Sequence, residues 1–335
     1  MISTRTPLRV TLGGGGTDLE SYYRGDGGFI FAMGLDKYIH IAAHRPALQS
    51  GVVLHGPEPE ASERTIDLNH ELARAALLHH GVEDRFEAAS IGDIAGGTGL
   101  GSSSCFLVGF LKALHALKGD APGPQALAEE ACKIEIEILG KSIGKQDQYM
   151  AAYGGLTTLD IAPDGQVKVT AVEIDPEVEA AFVAHTHIYY TGLRRDASVI
   201  LSDQNSAMLS AKAPAHDAAS ASLGSIKALG YQIRDAWTAG DLQGWGRMLH
   251  EHWLSKKQLS SKISWPAIDQ LYDHVRAQYG VLGGKVIGAG GGGFLMLFDP
   301  GSGGKLQDYM AAQNMPRLDY RIDRMGSQVL GAAGA

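Results

Sequence analysis

The residues best suited to chemistry form a run of glycines that leads into serines. Glycine lets the backbone approach a bulky anion, and the N-terminus of a helix adds free N–H groups and a partial positive charge. Serine hydroxyls bind phosphate oxygens or complete the coordination of Mg²⁺. The run therefore predicts a phosphate-binding loop at the start of a helix, in preference to an ordinary loop with a serine N-cap. Its residues are Gly97, Thr98, Gly99, Leu100, Gly101, Ser102, Ser103 and Ser104.

Groups that suit phosphoryl transfer occur at three other places in the chain. Arg9 precedes a run of glycines and Asp18, so a cation and a carboxylate flank a turn without side chains. Glu135 and Glu137 alternate in a predicted helix, and one of them is expected to face a cleft while the other is solvated. Asp147 follows two glycines and is expected in a loop. Phosphoryl transfer needs a carboxylate on Mg²⁺ and often a second one that orients or deprotonates the nucleophile.

A third glycine cluster, Gly288–Gly293, matches the G-x-G-x-x-G pattern of dinucleotide-binding sites. That pattern requires a helix directly after the glycines, whereas Phe294–Phe298 is a short apolar run that predicts a strand. We therefore expect a glycine turn between two strands, packed closely against another glycine loop. A dehydrogenase is the least favoured class of enzyme. The earlier cluster is not a Walker A loop either, because Gly-Lys-[Ser/Thr] is missing from it.

The composition is that of a globular protein and excludes several other classes. Of the 335 residues, 44% are hydrophobic and 20% charged, and the formal net charge is −8. This balance argues against disorder and against partners such as nucleic acid or an anionic membrane. The two cysteines make no disulfide framework, and neither a secretory signal nor a run of about 20 apolar residues is evident. A cytoplasmic location is expected.

Hydrophobic periodicity predicts an α+β protein with two lobes, residues 1–180 and 181–335, packed around a shared cleft. Strands are expected at Leu8–Leu12, Phe29–Met33, Tyr38–His44, Arg85–Ile91, Leu156–Ile161, Val167–Ile174, His185–Thr191, Lys285–Ile287, Phe294–Phe298 and Leu318–Ile322. Helices are expected from Ser102 to Leu117 and at Asn69–His80 (with Asn69 as its cap), Gln125–Leu139, Asp196–Lys212, His216–Trp237, Leu242–Lys257, Pro266–Tyr279 and Gly304–Gln313.

Together and in this order, the three glycine clusters resemble the motifs of the GHMP small-molecule kinases. The stretch from Thr6 to Asp18 is similar to the first motif, Gly97–Ser104 to the nucleotide-phosphate loop, and Lys285–Phe294 to the third motif. The resemblance covers nearly the whole chain. It implies the two-lobe fold of that family, with nucleotide bound by the first lobe, substrate contacts from the second, and the active site in the cleft between them. It also implies ATP and Mg²⁺ as cofactors.

The resemblance implies roles for single residues, position by position. Asp147 matches the aspartate that acts on the acceptor hydroxyl, and Arg9 matches the arginine beside the transferred phosphate. Glu135 matches the family's Mg²⁺ glutamate, and Ser103 or Ser104 is expected to complete the metal site. The residues expected to bind the sugar are Gly14, Gly15, Gly16, Thr17, Asp18, Arg194, Arg195, Lys256, Gly290 and Gly291.

Within the family, the chain is most similar to the sugar 1-kinases, through its runs at 14–18, 190–195 and 252–257. Galactokinases have Glu-His where this chain has Gly15 and Gly16, a difference that deepens the pocket and removes a negative charge. A larger or phosphorylated sugar, such as a heptose 7-phosphate, is therefore the expected substrate. Its phosphate would need cations. The cations available for it are Arg194, Arg195, Lys256, Lys257 and Lys262.

Two alternatives stay open on the sequence. One is another sugar or polyol 1-kinase, of the fucose, galactose or glucuronate type. The other is a sugar- and nucleotide-binding sensor without turnover, although the presence of Arg9, Glu135 and Asp147 together favours an enzyme. The expected partners are a small-molecule sugar and ATP, not nucleic acid or a membrane, and the oligomeric state is left open.

Overall fold

A computed structural model describes residues 1–194, 197–210 and 213–332 of the chain. The first sheet is built around two long antiparallel strands, β1 (Ile2–Gly13) and β2 (Gly28–His44). The two strands predicted between Phe29 and His44 are one continuous strand. Leu8 and Val10 of β1 are fully buried, because helices pack against this strand as well as its neighbours in the sheet.

Further strands of the described residues complete the first sheet. They are β3 (Val52–His55), β4 (Glu60–Ser62), β5 (Phe86–Gly92), β6 (Leu156–Ile161), β7 (Val167–Ala171), and two that come after the second sheet in the chain, β12 (Ile322–Asp323) and β13 (Gln328–Ala332). Their order is β13-β1-β2-β5-β3-β4, with β6 and β12 paired to β2 and β7 paired to β6. The end of the chain thus returns to the first sheet. The predicted division into lobes at residue 180 stays a prediction.

The second sheet is antiparallel and smaller. It contains β8 (Thr186–Tyr190), β9 (Gly283–Val286), β10 (Phe294–Phe298) and β11 (Arg317–Leu318). Their order is β11-β8-β10-β9, so the apolar strand β10 lies between two partners. The strand predicted at Leu318–Ile322 is instead split between β11 in this sheet and β12 in the first, a separation that pairing across the whole molecule decides.

Helices surround the two sheets. In the described part of the chain they are α1 (Glu20–Asp26), α2 (Glu71–His79), α3 (Ser102–Leu117), α4 (Pro124–Cys132), α5 (Gln146–Tyr153), α6 (Pro176–His185), α7 (Ala197–Met208), α8 (Ala213–Thr238), α9 (Leu242–Lys257), α10 (Pro266–Tyr279) and α11 (Lys305–Ala312). Both α3 and α8 pack against β1 and β2. This packing brings the start of α3 beside the end of β1, where the candidate site lies. No helix of the described residues has the length and apolar character needed to cross a membrane.

Two local predictions need correction, and three helices were not predicted. Helix α2 begins at Glu71 and is capped by His70, whose Nδ1 accepts from the Ala73 amide at 3.3 Å. Asn69, the predicted cap, instead donates its side-chain amide to Glu60 at 2.8 Å. The helix predicted at Gln125–Leu139 is α4 followed by a π-helical segment, Lys133–Ile138. Helices α1, α5 and α6 were not predicted, because short helices beside glycine or proline carry little periodic signal.

A chain of buried aromatic rings joins the two sheets. Phe31 of β2 meets Trp237 edge to face at 5.5 Å between ring centroids. Trp237 meets Trp245 at 5.7 Å, and Trp245 meets Phe298 of β10 at 5.1 Å. Edge-to-face pairs of this kind each contribute about 0.5–1.5 kcal/mol beyond the area they bury. The packed rings therefore fix the position of one sheet relative to the other, and with it the shape of the cleft.

A carboxylate on α4 connects that helix to α2 and α3. Glu130 accepts from His80, next to α2, at 2.9 Å and from His115 in α3 at 2.7 Å. Burial alone would raise the pKa of Glu130, but these hydrogen bonds outweigh it and lower the pKa from 4.5 to about 2. The ionised form is therefore favoured by folding, and this contribution is lost as the pH falls from 4.5 towards 2.

The variant Glu130→Gln should lower the free energy of unfolding at pH 7 by about 1–2 kcal/mol, since hydrogen bonds to a charged group are among the stronger ones. Its stability should also fall less steeply than that of the wild type below pH 4.5. Denaturant titrations at several pH values measure both effects. Glu129→Gln, on the exposed neighbour, is the matched control. Equal losses in the two variants at pH 7 would show that the bridge contributes nothing.

Candidate active site

A cavity of about 300 Å³ lies where the ends of β1 and β9, the starts of α3 and α5, and the end of α9 converge. Residues from all three glycine clusters line it, although the clusters are far apart in the chain. The predicted site residues that line it are Arg9, Gly15, Gly16, Asp18, Gly97, Gly99, Gly101, Ser102, Ser103, Ser104, Asp147, Lys256 and Gly290.

The loop that precedes α3 presents backbone to this cavity. Gly97, Gly99 and Gly101 have φ angles of 74°, 84° and 79°, a conformation that side chains disfavour. Helix α3 begins at Ser102 without a side-chain cap and without an acidic residue in its first turn. Its first N–H groups and the positive end of its dipole are therefore available to an anion. The prediction of a glycine loop that leads into a helix is confirmed.

The third glycine cluster supports this loop from behind. A Cβ atom at Gly293 would lie 2.1 Å from the carbonyl oxygen of Thr98, and one at Gly288 would lie 2.6 Å from that of Gly99. Backbone packs on backbone at both points, and neither leaves room for a side chain. The cluster connects β9 to β10 with no helix between them, so the predicted glycine turn packed against another glycine loop is confirmed.

Arg9 links the glycine loop to the start of α5. Its Nε donates to Oδ1 of Asp147 at 2.6 Å, and its Nη1 donates to the carbonyl oxygen of Gly99 at 2.6 Å. The arginine is buried, whereas a quarter of the Asp147 side chain is exposed. Asp147 lies in the first turn of α5 rather than in a loop, so that prediction was wrong. Its carboxylate is held by Arg9 and still faces the cavity.

Asp18 forms the wall beside Asp147. It accepts from the backbone amides of Gly16 at 3.2 Å and Gln146 at 3.0 Å. Burial raises the pKa of Asp18, and the nearby Asp147 raises it further against these hydrogen bonds. Gln146 in turn accepts from the Thr11 hydroxyl at 2.5 Å. Thr11 and Gln146 line the cavity but were not predicted, because only the fold brings them next to Asp18.

Glu135 lies one layer behind the cavity wall. Its Oε2 accepts from the Ser104 hydroxyl at 2.7 Å and from the Gln148 amide at 2.6 Å, while its Oε1 has no partner within the described part of the chain. Burial raises the pKa of Glu135. Glu137 is exposed, as the alternation predicted. A carboxylate with a free oxygen next to serine hydroxyls is a set of hard oxygen donors that fits Mg²⁺.

Two buried lysines, one on α9 and one on β9, also line the cavity. Lys256, at the end of α9, donates from Nζ to the carbonyl oxygen of Gly288. Burial and the charge of Arg9 lower the pKa of Lys256 to about 7. Lys285 on β9 was not predicted as a site residue, although it stands three positions before Gly288 in the third cluster. It is also buried and lines the cavity.

Several residues that were predicted to belong to the site, and that the structure describes, do not line this cavity. Thr17 is buried, and its hydroxyl donates to the carbonyl oxygens of Gly14 and Phe29, both at 2.8 Å. The others are Gly14, Thr98, Leu100, Glu135, Gly291 and the exposed Arg194. Lys257 and Lys262 pair with Asp269 and Asp203 at 3.0 Å. Arg195 lies outside the described residues.

Comparison with known proteins agrees with this arrangement. Residues 69–155 match the GHMP kinases N terminal domain, and residues 231–317 match the GHMP kinases C terminal domain. D-glycero-alpha-D-manno-heptose 7-phosphate kinase of Campylobacter jejuni is 27% identical over 311 residues, which cover 89% of this chain and 90% of that one. L-fucokinase/L-fucose-1-P guanylyltransferase of Bacteroides fragilis is 25% identical over 96% of this chain and 37% of that longer protein.

A solved structure shows the same fold. The D-glycero-D-manno-heptose 1-phosphate kinase of Bacteroides thetaiotaomicron superposes with a TM-score of 0.79 at 20% identity, and the match covers 100% of both chains. The N-terminal domain match contains the glycine loop and Asp147, and the C-terminal domain match contains Lys256 and the third glycine cluster. The chain belongs to the GHMP kinases, and it is an ATP-dependent phosphotransferase of that family.

Proposed function

We propose that this protein transfers the γ-phosphoryl group of ATP to the anomeric hydroxyl of D-glycero-D-manno-heptose 7-phosphate and forms the 1,7-bisphosphate. The observation that carries the proposal is the Arg9–Asp147 pair, which is hydrogen-bonded to the glycine loop and faces one cavity with it. The relative from Campylobacter jejuni, whose name states a heptose 7-phosphate kinase, supports the choice of sugar.

The glycine loop and the N-terminus of α3 suit the triphosphate of ATP. A second, more apolar cavity of about 170 Å³ lies along the same helix and is lined by Phe106, Ile41 and Leu54. Phe106 is one turn beyond the serines, so a base stacked near it would leave its phosphates at the loop. We propose that this cavity takes the adenine. A requirement for ATP agrees with the cytoplasmic location expected from the sequence.

Asp147 and Arg9 are the proposed catalytic pair. Asp147 accepts the proton of the anomeric hydroxyl or orients it, and the bond from Arg9 holds the carboxylate towards the cavity. Arg9 also offsets negative charge on the group that is transferred, because its guanidinium lies between Asp147 and the loop. Such reactions depend mainly on positioning and on electrostatic stabilisation.

Ser103, Ser104 and Glu135 are the proposed Mg²⁺ site. Ser103 is exposed to the cavity, and Ser104 also lines it while its hydroxyl donates to Oε2 of Glu135. Oε1 of Glu135 has no partner in the described part of the chain. When bound, Mg²⁺ would neutralise phosphate charge at this place. The arrangement explains why a fully buried carboxylate is kept so near the loop.

The sugar is proposed to bind on the side of Asp18, where buried carboxylate oxygens are positioned to accept from its hydroxyls. Gly15 and Gly16 line the cavity without side chains and leave room for a seven-carbon sugar. Cations for the 7-phosphate remain proposed among Arg194, Arg195, Lys256, Lys257 and Lys262. We also propose that residues 1–180 form a lobe that binds the nucleotide, and that residues 181–335 form a second lobe that contributes to substrate binding.

A coupled assay for ADP, run across free and phosphorylated heptoses and hexoses, tests the proposal. We expect kcat/KM for heptose 7-phosphate to exceed that for the free heptose by at least about a hundred-fold, because a site built for a polar group rejects substrates that lack it. Higher kcat/KM for L-fucose, galactose or glucuronate would assign the protein to another sugar 1-kinase class; the 25% identity to the fucokinase makes fucose the first of these to test. Binding without any release of ADP would indicate a sensor.

A further inference from the structure

Two buried lysines line the cleft without an ion pair to any carboxylate of the described residues. Lys256 and Lys285 have exposed fractions of only 6% and 3%, and both line the cavity with Arg9. The amine of Lys256 is bonded to a carbonyl oxygen, and that of Lys285 has neither a hydrogen bond nor an ion pair with any residue of the described ranges. Buried charges of one sign are costly unless a counter-charge compensates them.

The carboxylates that line the cavity are already engaged. Asp147 is paired with Arg9, and Asp18 accepts from the amides of Gly16 and Gln146. Behind the lysines lies His252, fully buried, with no described partner on either ring nitrogen, and it supplies no negative charge. Asp18 attracts Lys256 only from a distance, and no carboxylate of the described residues forms an ion pair with either lysine. An anionic ligand would supply the missing counter-charge.

The contacts of Lys256 indicate which part of the substrates this ligand belongs to. Lys256 is bonded to Gly288, whose backbone packs on Gly99 of the phosphate loop. Gly99 also accepts from Arg9, which holds Asp147. The cations thus gather where the loop that suits ATP meets the carboxylate that suits the acceptor hydroxyl.

We propose that Lys256 and Lys285, together with Arg9, bind the phosphoryl group in transfer, the terminal phosphate of ATP, and not a phosphate carried by the sugar. This inference rests on the proposed phosphotransfer at this site and adds Lys285 to it. It also gives Lys256 a partner other than the sugar phosphate considered above.

The lysines stabilise the transfer without giving up a proton. The acceptor oxygen forms a bond to the γ-phosphorus while the bond from that phosphorus to the β,γ-bridging oxygen breaks, and its electron pair leaves with ADP. The proton of the acceptor hydroxyl goes to Asp147. Negative charge on the three non-bridging oxygens is met by the two ammonium groups and the guanidinium, which are positioned before the reaction begins.

Burial lowers the pKa of both lysines, and the charge of Arg9 lowers both further. Lys256 also lowers the pKa of Lys285, whereas Asp18 raises that of Lys256 and only partly offsets the burial. A bound phosphate favours the charged form of both amines and so reverses this effect. The ligand-free protein consequently carries a cost at this wall that the nucleotide removes. A nucleotide that bound away from the lysines would leave this cost in place.

The variants Lys285→Met and Lys256→Met test the inference. Calorimetry should compare ADP with its non-hydrolysable triphosphate counterpart, the β,γ-imido analogue, because the two differ in the terminal phosphate. We expect the affinity of each variant for ADP to stay within about three-fold of the wild-type value. The ratio of triphosphate affinity to ADP affinity should fall at least about ten-fold, as expected when a charge-assisted hydrogen bond is lost. Lys285→Arg, which keeps the charge, should retain most of the preference.

A second readout separates function from structure. Because methionine removes a buried, unbalanced charge, Lys285→Met should raise the melting temperature of the ligand-free protein by about 2 °C or more, while the triphosphate analogue raises it less than in the wild type. Lys227→Met is the matched control: its amine also donates to a backbone carbonyl oxygen, that of Asp26, and it lines a different cavity. Its preference for the triphosphate should be unchanged.

An unchanged preference in both lysine variants would overturn the inference. The inference would also fail if the variants lost only their preference for a phosphorylated sugar over the free sugar and kept their preference for the triphosphate. That result would assign the lysines to the phosphate of the sugar. Both comparisons use nucleotide or sugar binding rather than turnover on heptose 7-phosphate. If that sugar proves not to be the substrate, the ratio of triphosphate to ADP affinity still decides the role of the lysines.

Discussion

Replacing Asp147 by asparagine should lower kcat about 10²–10⁴-fold, the range expected when a general base is removed. Asparagine keeps the size of the side chain, and its carbonyl oxygen can still accept from Arg9. It cannot take a proton from the acceptor hydroxyl. The affinity for ATP should change by less than about three-fold, because the glycine loop and the start of α3 are untouched. Steady-state kinetics and nucleotide titration measure the two effects.

The matched control for this variant is Asp67→Asn. Asp67 is also paired with an arginine, Arg64, at 3.0 Å, but on the exposed surface and away from the cavity. Its kcat should equal that of the wild type. Full activity of Asp147→Asn would remove Asp147 from the catalytic role, and a joint loss of ATP affinity and turnover would assign it to nucleotide binding instead.

Replacing Gly293 by alanine should disrupt the glycine loop, because Gly293 packs against its backbone at Thr98. The new Cβ would lie 2.1 Å from the carbonyl oxygen of Thr98. The backbone fixes the position of the Cβ and the oxygen is itself a backbone atom, so one of the two glycine clusters must move. We expect the affinity for ATP to fall at least ten-fold and the free energy of unfolding to fall by about 1–3 kcal/mol, as for overpacking in a core. Nucleotide titration and denaturant unfolding measure these changes.

Part of that effect comes from the backbone conformation alone, and Gly119→Ala isolates it. Gly119 has a φ of 76°, close to the 83° of Gly293, but nothing lies within 4 Å of a Cβ atom there. Its loss of stability gives the cost of a left-handed alanine, and the excess in Gly293→Ala is the cost of the overlap. If the two variants lost the same stability and both bound ATP normally, close packing of the glycine clusters would not support the loop.

Much of the chemistry could be predicted from local patterns. Glycines followed by serines at a helix start favour phosphate binding over an ordinary capped loop, because a backbone without side chains and a helix N-terminus both suit a bulky anion. The strand Phe294–Phe298, which excluded a dinucleotide fold, is present with the predicted bounds. Arg9, Asp18 and Asp147 were singled out as charged groups beside glycine turns, and the structure brings all three to one cavity. Their roles in catalysis stay predictions.

Other features depend on contacts between distant parts of the chain. The segment from Lys133 to Ile138 continues the helical pattern of α4 but adopts π-helical turns, in which Glu135 meets Ser104 and Gln148. Asp147 lies in the first turn of α5, a short helix that follows glycines and has weak periodicity. In the sequence, Lys285 is an ordinary lysine in a short predicted strand. Its burial in the cavity with Lys256 and Arg9 depends on the second sheet.

The sequence by itself determined which backbone segments could hold phosphate, which carboxylates were available, and that the chain is an α+β protein with the motifs of one kinase family. These properties are local, because residue type and spacing set φ, the helix start and the supply of charge. The tertiary structure alone decided which of these groups share a cavity, which charges are buried without balance, and where the last strands pair. Those properties arise from burial and from contacts between residues far apart in the chain, and no local pattern specifies them.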